Sequence, residues 1–222
     1  MLAARGIRKE FPSGGARLEV LRHVDLDLAA GETVSVVGES GAGKSTLLQI
    51  LGGLDRPTSG EVAVAGMRLD QLDDTRLSRV RNRVIGFVFQ FHHLLMEFSA
   101  LENAMMPLLI AGVSRREARE RARATLQRVG LAPRLEHKPR ALSGGEQQRV
   151  AVARAIVHGP RVILADEPSG NLDARNSALL HALLFELARE RGMAFVVVTH
   201  NRDLAAETDR CVALEDGVLR AV

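Results

Sequence analysis

The sequence predicts an α/β fold in which a helical insert interrupts a sheet-forming core, and three observations point to it. Short β-branched runs recur at Thr33–Val37, Val162–Ala165 and Ala194–Thr199; each is too short for a helix and is bounded by turn residues. A glycine-rich loop follows the first run and opens directly into an apolar helix, Thr46–Leu51. From Phe91 to about Gly159 the spacing turns helical, with breaks at Pro107, Gly112, Pro133 and Pro139.

Taken in order, the first thirty residues alternate weakly and read as strands around a loop, Pro12-Ser13-Gly14-Gly15. Pro57, Ser59 and Gly60 punctuate the exit from the first helix, and Glu61–Ala65 is the next strand. Val84–Phe89 is a strand that ends at Gln90. After the insert, whose last helix holds the apolar run Arg149–Val157, strands return at Val162, Ala194 and Arg210–Leu214. Glu215-Asp216-Gly217 supplies a terminal hairpin turn. No internal repeat or low-complexity linker divides the chain, so residues 1–222 read as one unit with two lobes.

Bulk properties narrow the function classes. With 46% hydrophobic and 26% charged residues, the composition is that of an ordinary globular protein. No run of eighteen uncharged apolar residues is present, so no transmembrane helix is expected. Met1-Leu2-Ala3-Ala4-Arg5-Gly6 lacks the apolar stretch of a signal peptide. The single cysteine, Cys211, rules out an internal disulfide and a cysteine-cluster metal site; within its apolar run it is expected as a buried thiol in a reducing compartment, the cytoplasm. The net charge is +3, with basic residues spread along the chain. The densest cluster, Ser114–Arg123, carries an apolar stripe at Ala118, Ala122, Leu126 and Val129 and a Glu117/Arg121 pair four residues apart. It reads as a solvated helix face and not as a nucleic-acid or lipid surface.

Five places along the chain carry chemistry. Gly38-Glu39-Ser40-Gly41-Ala42-Gly43-Lys44-Ser45 fits the phosphate-binding pattern G-x-x-x-x-G-K-[ST], with Thr46 continuing the helix. Its glycines let backbone N–H groups curl around phosphates, Lys44 reaches the β and γ oxygens, and the Ser45 hydroxyl suits Mg²⁺. Ordinary glycine usage makes a chance match in such a chain roughly a one-in-a-hundred event. Val162-Ile163-Leu164-Ala165-Asp166-Glu167 sets two carboxylates at the end of an apolar strand, placing Asp166 for Mg²⁺ and Glu167 for the attacking water. Gln90 and His200 each follow a predicted strand, where ligands of α/β sheets gather. Finally, Leu142-Ser143-Gly144-Gly145-Glu146-Gln147-Gln148-Arg149 places an N-cap serine and two glycines at the positive end of a helix.

The order of these stretches, completed by Ser169-Gly170-Asn171-Leu172-Asp173, resembles the nucleotide-binding domain of ABC transporters from end to end. The octet from Leu142 resembles that family's signature motif. The resemblance implies a P-loop NTPase fold with a RecA-like core, about residues 1–90 and 160–222, and an α-helical subdomain, about 91–159. It makes Gln90 the Q-loop residue, able to touch both metal and reacting water, Asp173 a D-loop residue and His200 the switch histidine. Phe11 falls where an aromatic stacks on adenine, although tyrosine is commoner there. The resemblance further implies ATP and Mg²⁺ as ligands. It also implies a head-to-tail homodimer in the ATP-bound state, with Ser143, Gly144 and Gly145 of one subunit facing the P-loop of the other.

A closer likeness lies in Leu51–Gly60, Phe89-Gln90-Phe91-His92-His93-Leu94-Leu95, Leu101-Glu102-Asn103 and Gly170–Asn176. These look like the ATPases of bacterial lipoprotein-releasing systems. That likeness implies integral inner-membrane transporter subunits as partners, lipoprotein as the cargo they handle, and a place on the cytoplasmic face of the inner membrane. Met96, where proline is usual, and Asn201, where aspartate is frequent, depart from the pattern without removing a catalytic group. The related efflux and cell-division ATPases share Gly-Asn-Leu-Asp and stand as the alternative. An ABC ATPase acting on DNA or ribosomes would carry two cassettes or a long coiled coil, and a small-metabolite kinase would leave Leu142–Arg149 without a role.

Overall fold

The structure, a computed structural model, describes residues 1–14 and 16–222. β1 (Leu2–Ser13) and β2 (Ala16–Leu28) form a long antiparallel hairpin paired from Leu2↔Leu28 to Ser13↔Ala16. Pro12 and Ser13 of the expected Pro12–Gly15 loop are therefore strand and Gly14 is a turn; Gly15 lies outside the described residues. β3 (Thr33–Val37) runs through the glycine loop into α1 (Lys44–Leu51), which begins two residues before the helix expected from sequence. β4 (Ser59–Val64) and β5 (Met67–Arg68) add a second hairpin.

α2 (Asp74–Val84) had no clear signal in the apolar spacing, because only Leu77 and Val80 are buried on it. The Asp73 side chain caps it by accepting from Arg76 N, and the helix takes Val84 from the predicted strand, leaving β6 as Ile85–Val88. Next come α3 (Ala100–Ile110), α4 (Arg115–Arg128) and α5 (Gly144–Ile156). The remaining elements are β7 (Val162–Asp166), α6 (Ala174–Arg191), β8 (Ala194–Val198), α7 (Arg202–Ala206), β9 (Arg210–Glu215) and β10 (Val218–Ala221).

Three sequence expectations are corrected. Phe91–Ser99 is irregular rather than helical. The fully buried Asn103 side chain supplies backbone partners there, binding Leu95 N at 2.8 Å and the Leu95, Phe98 and Ser99 carbonyls at 3.0–3.1 Å. Pro107 does not break α3 but sits in its last turn, where a missing N–H costs a single bond. Cys211 is a free, half-buried thiol.

The ten strands order as β5-β4-β1-β2-β10-β9-β3-β8-β7-β6. From β9 to β6 every neighbour is parallel, whereas the β1, β2, β4, β5 portion is antiparallel. β10 joins the two portions, pairing antiparallel with β9 and, through the single parallel bridge Val218↔His23, with β2. The parallel strands are covered on both faces, which explains their unbroken apolar runs. Ile163, Ala165, Phe195 and Val197 pack with α3–α6, while Val162, Leu164, Val196 and Val198 pack on the α1 side. Among the described residues, no helix is long and apolar enough to cross a membrane.

β6 also meets α5 closely: a Cβ added at Gly86 would lie 2.4 Å from the Ala155 carbonyl oxygen. Backbone cannot yield as a side chain can. Gly86→Ala is therefore expected to lower stability by about 1–3 kcal/mol, the cost of overpacking. Urea denaturation should show a lower midpoint with an unchanged slope.

Candidate functional site

Four adjacent parallel strands, β3, β8, β7 and β6, deliver polar groups to one sheet edge. Their register pairs Val36 with Val198, Asp166 with Val198, and Ala165 with Val88. The residues just beyond those ends are Gly38, His200, Glu167 and Gln90. Chain reversal into a following helix or loop exposes each group where the sheet stops.

The phosphate loop leaves β3 and closes on α1. Gly43 caps that helix with φ 96°, a backbone state L-residues rarely hold, and no side chain occupies the cap. The first-turn N–H groups of α1 thus stay available to an anion at the helix's positive end. Lys44 Nζ donates to the Gly38 and Glu39 carbonyls, both at 2.8 Å, so its ammonium is held over the loop. Gly38, Glu39, Ser40, Gly41 and Ala42 line a cleft of about 1260 Å³ together with His200, Leu18 and Val20.

The Ser45 hydroxyl stands across the edge near enough to Asp166 to favour its charged form. Burial pushes the Asp166 carboxyl above its ordinary range, the Ser45 hydroxyl and Lys44 pull it back, and Glu167 raises it further. A half-desolvated carboxylate beside a hydroxyl, with a second carboxylate next to it, is a donor set that a hard divalent cation suits. These residues fit Mg²⁺.

Glu167 has φ 42°, unusual for a side-chain-bearing residue. Its N–H donates to Val198 O at 2.9 Å, which locks the strand end against β8. Three donors converge on its carboxylate: Thr199 Oγ1 at 3.0 Å on Oε2, and His200 N at 2.9 Å and His200 Nδ1 at 2.7 Å on Oε1. Against an ionised carboxylate Nδ1 is the donor of this bond, which leaves Nε2 for another partner. The glutamate side chain is 14% exposed and the histidine side chain 75%.

Gln90 approaches from the other flank. Asn171 Nδ2 donates to its carbonyl at 3.0 Å, and Gly170 packs against its amide. Residues around Gln90 are tied to α5: Gln148 Nε2 donates to Phe89 O at 3.3 Å, and Arg154 reaches His92 O and His93 O at 2.8 and 2.6 Å. Asp173 caps α6 by accepting from Asn176 N at 2.9 Å.

Two sequence-predicted groups stand apart from this edge. Phe11 lies on the outer hairpin opposite Leu18, 38% exposed, with Lys9 Nζ 4.9 Å from its ring centre, and it does not line the cleft. Ser143-Gly144-Gly145 opens α5 and faces Asn176 of α6, also outside that cleft. Its geometry is nevertheless firmly set by a capping box. Ser143 Oγ accepts from Glu146 N at 3.2 Å, and Glu146 accepts from Ser143 N and from Arg134 Nε, both at 2.8 Å. Sequence inspection missed Thr199, Asn171, Gln148 and Arg154. Thr199 had a signal in its adjacency to His200, whereas the others act through carbonyls that no side-chain pattern reveals.

The profile described as ABC transporter matches residues 21–170. The chain belongs to the ABC transporter family, as an ATP-binding cassette. More particularly, it is 52% identical over 220 residues to the lipoprotein-releasing system ATP-binding protein LolD of Alcanivorax borkumensis, covering 99% of this chain and 96% of the relative. It is 55% identical over 217 residues to LolD of Geobacter metallireducens, covering 98% and 96%. Among solved structures, the ATP-binding cassette MJ0796, a dimer in a post-hydrolysis state bound to ADP and Pi, matches with a TM-score of 0.92 at 40% identity. That match covers 99% of this chain and 97% of the other.

Arg134 and the Ser143 backbone hold the Glu146 carboxyl down from its ordinary 4.5 to about 2. A carboxylate with a depressed folded-state pKa stabilises the fold above its unfolded value and loses that contribution as pH falls through the folded value. The stability gap between the parent chain and Glu146→Gln should therefore be constant above about pH 5 and shrink between pH 4.5 and 2. Urea midpoints measured across that range check it.

Proposed function

We propose that this chain is the ATP-hydrolysing subunit of a lipoprotein-releasing ABC transporter, acting on the cytoplasmic face of a bacterial inner membrane. The observation that carries the hydrolytic part is the convergence at one sheet edge of Ser45–Asp166 with Glu167–Thr199–His200. The transport part rests on relatives named for lipoprotein release that align along nearly the whole chain. Residues 1–222 then act as one nucleotide-binding unit, with a core of about 1–90 and 160–222 and a helical part of about 91–159.

In this assignment the N–H groups of Gly38–Thr46 and the Lys44 ammonium bind the ATP phosphates. Ser45, Asp166 and Gln90 hold Mg²⁺, which when bound neutralises charge on the β- and γ-phosphates. Glu167 accepts the proton of the attacking water, and its three donors aim it for that task. His200 Nε2 faces the γ-phosphate, and Phe11, outside the cleft but paired across the hairpin with its lining residue Leu18, stacks on an adenine that extends past the cleft's rim. Ser143, Gly144, Gly145 and Asp173 act on the nucleotide of a second subunit, because the signature turn stands outside its own chain's cleft. Closure of two chains on two ATP molecules works by differential affinity, since only the closed state offers each γ-phosphate both a Lys44 and a facing Ser143 turn. Integral membrane subunits would receive that movement and handle the lipoprotein.

Glu167→Gln should lower hydrolysis by roughly 10²–10⁴-fold, the scale of a lost general base, while ATP still binds and traps a dimer on size exclusion. Near-normal turnover in that variant overturns the role. Lys44→Ala should weaken ATP binding itself, as isothermal titration reads directly. The transport assignment is tested by purifying the tagged chain from gently solubilised membranes. Two distinct membrane subunits whose lipoprotein cargo stimulates ATPase activity support it. A single self-pairing exporter subunit moves the assignment to efflux.

A further inference from the structure

The turn that follows Glu167 touches Gln90 in a way the hydrolytic scheme leaves unused. Gly170 N donates to Glu167 O at 3.0 Å, and Leu172 N to Ser169 O at 3.0 Å, so residues 167–172 form two linked turns. The turn is pinned from below by α6, where the buried His181 Nε2 lies 2.8 Å from Ser169 Oγ. From this anchored turn two contacts reach Gln90. Asn171 Nδ2 donates to the Gln90 carbonyl at 3.0 Å. The Gly170 backbone lies so close that an added Cβ would stand 2.9 Å from Gln90 Nε2 and 3.3 Å from its Cδ.

We propose that Gly170 and Asn171 are positioning residues for Gln90, registering its side-chain amide against Glu167. The inference rests on the assignment of Gln90 to the metal and the attacking water. Gly170 donates a turn hydrogen bond to the acid's own carbonyl and leaves the amide the space that a side chain at 170 would take. Asn171 fixes the backbone from which that amide projects. Phe89, His92 and His93 are meanwhile held by Gln148 and Arg154 of α5, so Gln90 is the point where the loop passes from the helical side to the acid's side. An ordinary side chain at 170 would displace the amide, and any residue at 171 that cannot donate would release the carbonyl.

Asn171 is exposed, so its replacements are expected to fold. Asp is its isostere but offers no donor, which separates the hydrogen bond from shape. With the purified chain, Asn171→Asp and Gly170→Ala are each expected to lower kcat about tenfold, the upper end for one lost hydrogen bond. KM for ATP should stay within about twofold while the Mg²⁺ concentration for half-maximal rate rises, because the phosphate loop is untouched. In a Gln90→Ala background, Asn171→Asp should add nothing, as a double-mutant cycle reveals for groups acting as one. An unchanged kcat for Asn171→Asp, beside a low kcat for Gln90→Ala, overturns the positioning role and leaves the Gln90 assignment standing. Full additivity of the two changes overturns it as well. An unchanged kcat for Gln90→Ala removes the Gln90 assignment and the proposal together.

Discussion

The constraint on which the rest of the structure depends is the parallel pairing of β3, β8, β7 and β6. Parallel neighbours end at the same edge, so residues far apart in sequence arrive side by side with no designed contact between them. Gly38 and His200 are separated by most of the chain yet line one cleft. Parallel strands also require crossover connections, and those connections are where α1, α6 and the α3–α5 insert come from. Burial on both faces then fixes the composition of the strands: Ile163 and Phe195 face one core while Leu164 and Val196 face the other.

The legibility of the sequence follows the same division. Strands buried on both faces announce themselves through unbroken β-branched runs, and the phosphate loop and signature octet through glycine placed beside Lys44 and Ser143. α2 was illegible because its two buried residues make too narrow a stripe, and its start depends on one cap, Asp73. The Phe91–Ser99 segment misled because its apolar residues suit a helix, while the buried Asn103 amide captures the backbone groups a helix would need. At the site, Lys44, Ser45, Asp166, Glu167, Gln90 and His200 were legible from type and order. The contacts of Thr199, Asn171 and Arg154 were not, since they depend on tertiary proximity and on carbonyls.

α5 ties two parts of the molecule together. Its N-terminus presents the signature turn, and its body grips the loop after β6 through Gln148 and Arg154. The Arg154 guanidinium is partly buried, and desolvation pulls its pKa down. Among the described residues no carboxylate pairs with it; its hydrogen-bond partners are the His92 and His93 carbonyls. A partly desolvated cation satisfied by carbonyl oxygens is held by geometry more than by charge, and the planar fork of arginine suits two adjacent carbonyls as a lysine would not. The left-handed backbone of His93, φ 46°, turns one of those carbonyls toward it.

The backbone at Glu167 carries a similar burden. At φ 42° the position is one that folding alone would assign to glycine or asparagine. Strain of this kind costs of order 1–3 kcal/mol, and drift toward either residue would relieve it. With Glu167 in the proposed role of base, stability and chemistry pull this position in opposite directions, and a glutamate kept there marks a need for hydrolysis. A relative in which it had become glycine would be expected to fold more firmly and to have lost turnover, keeping the shape of the cassette after its use of ATP as fuel had ended.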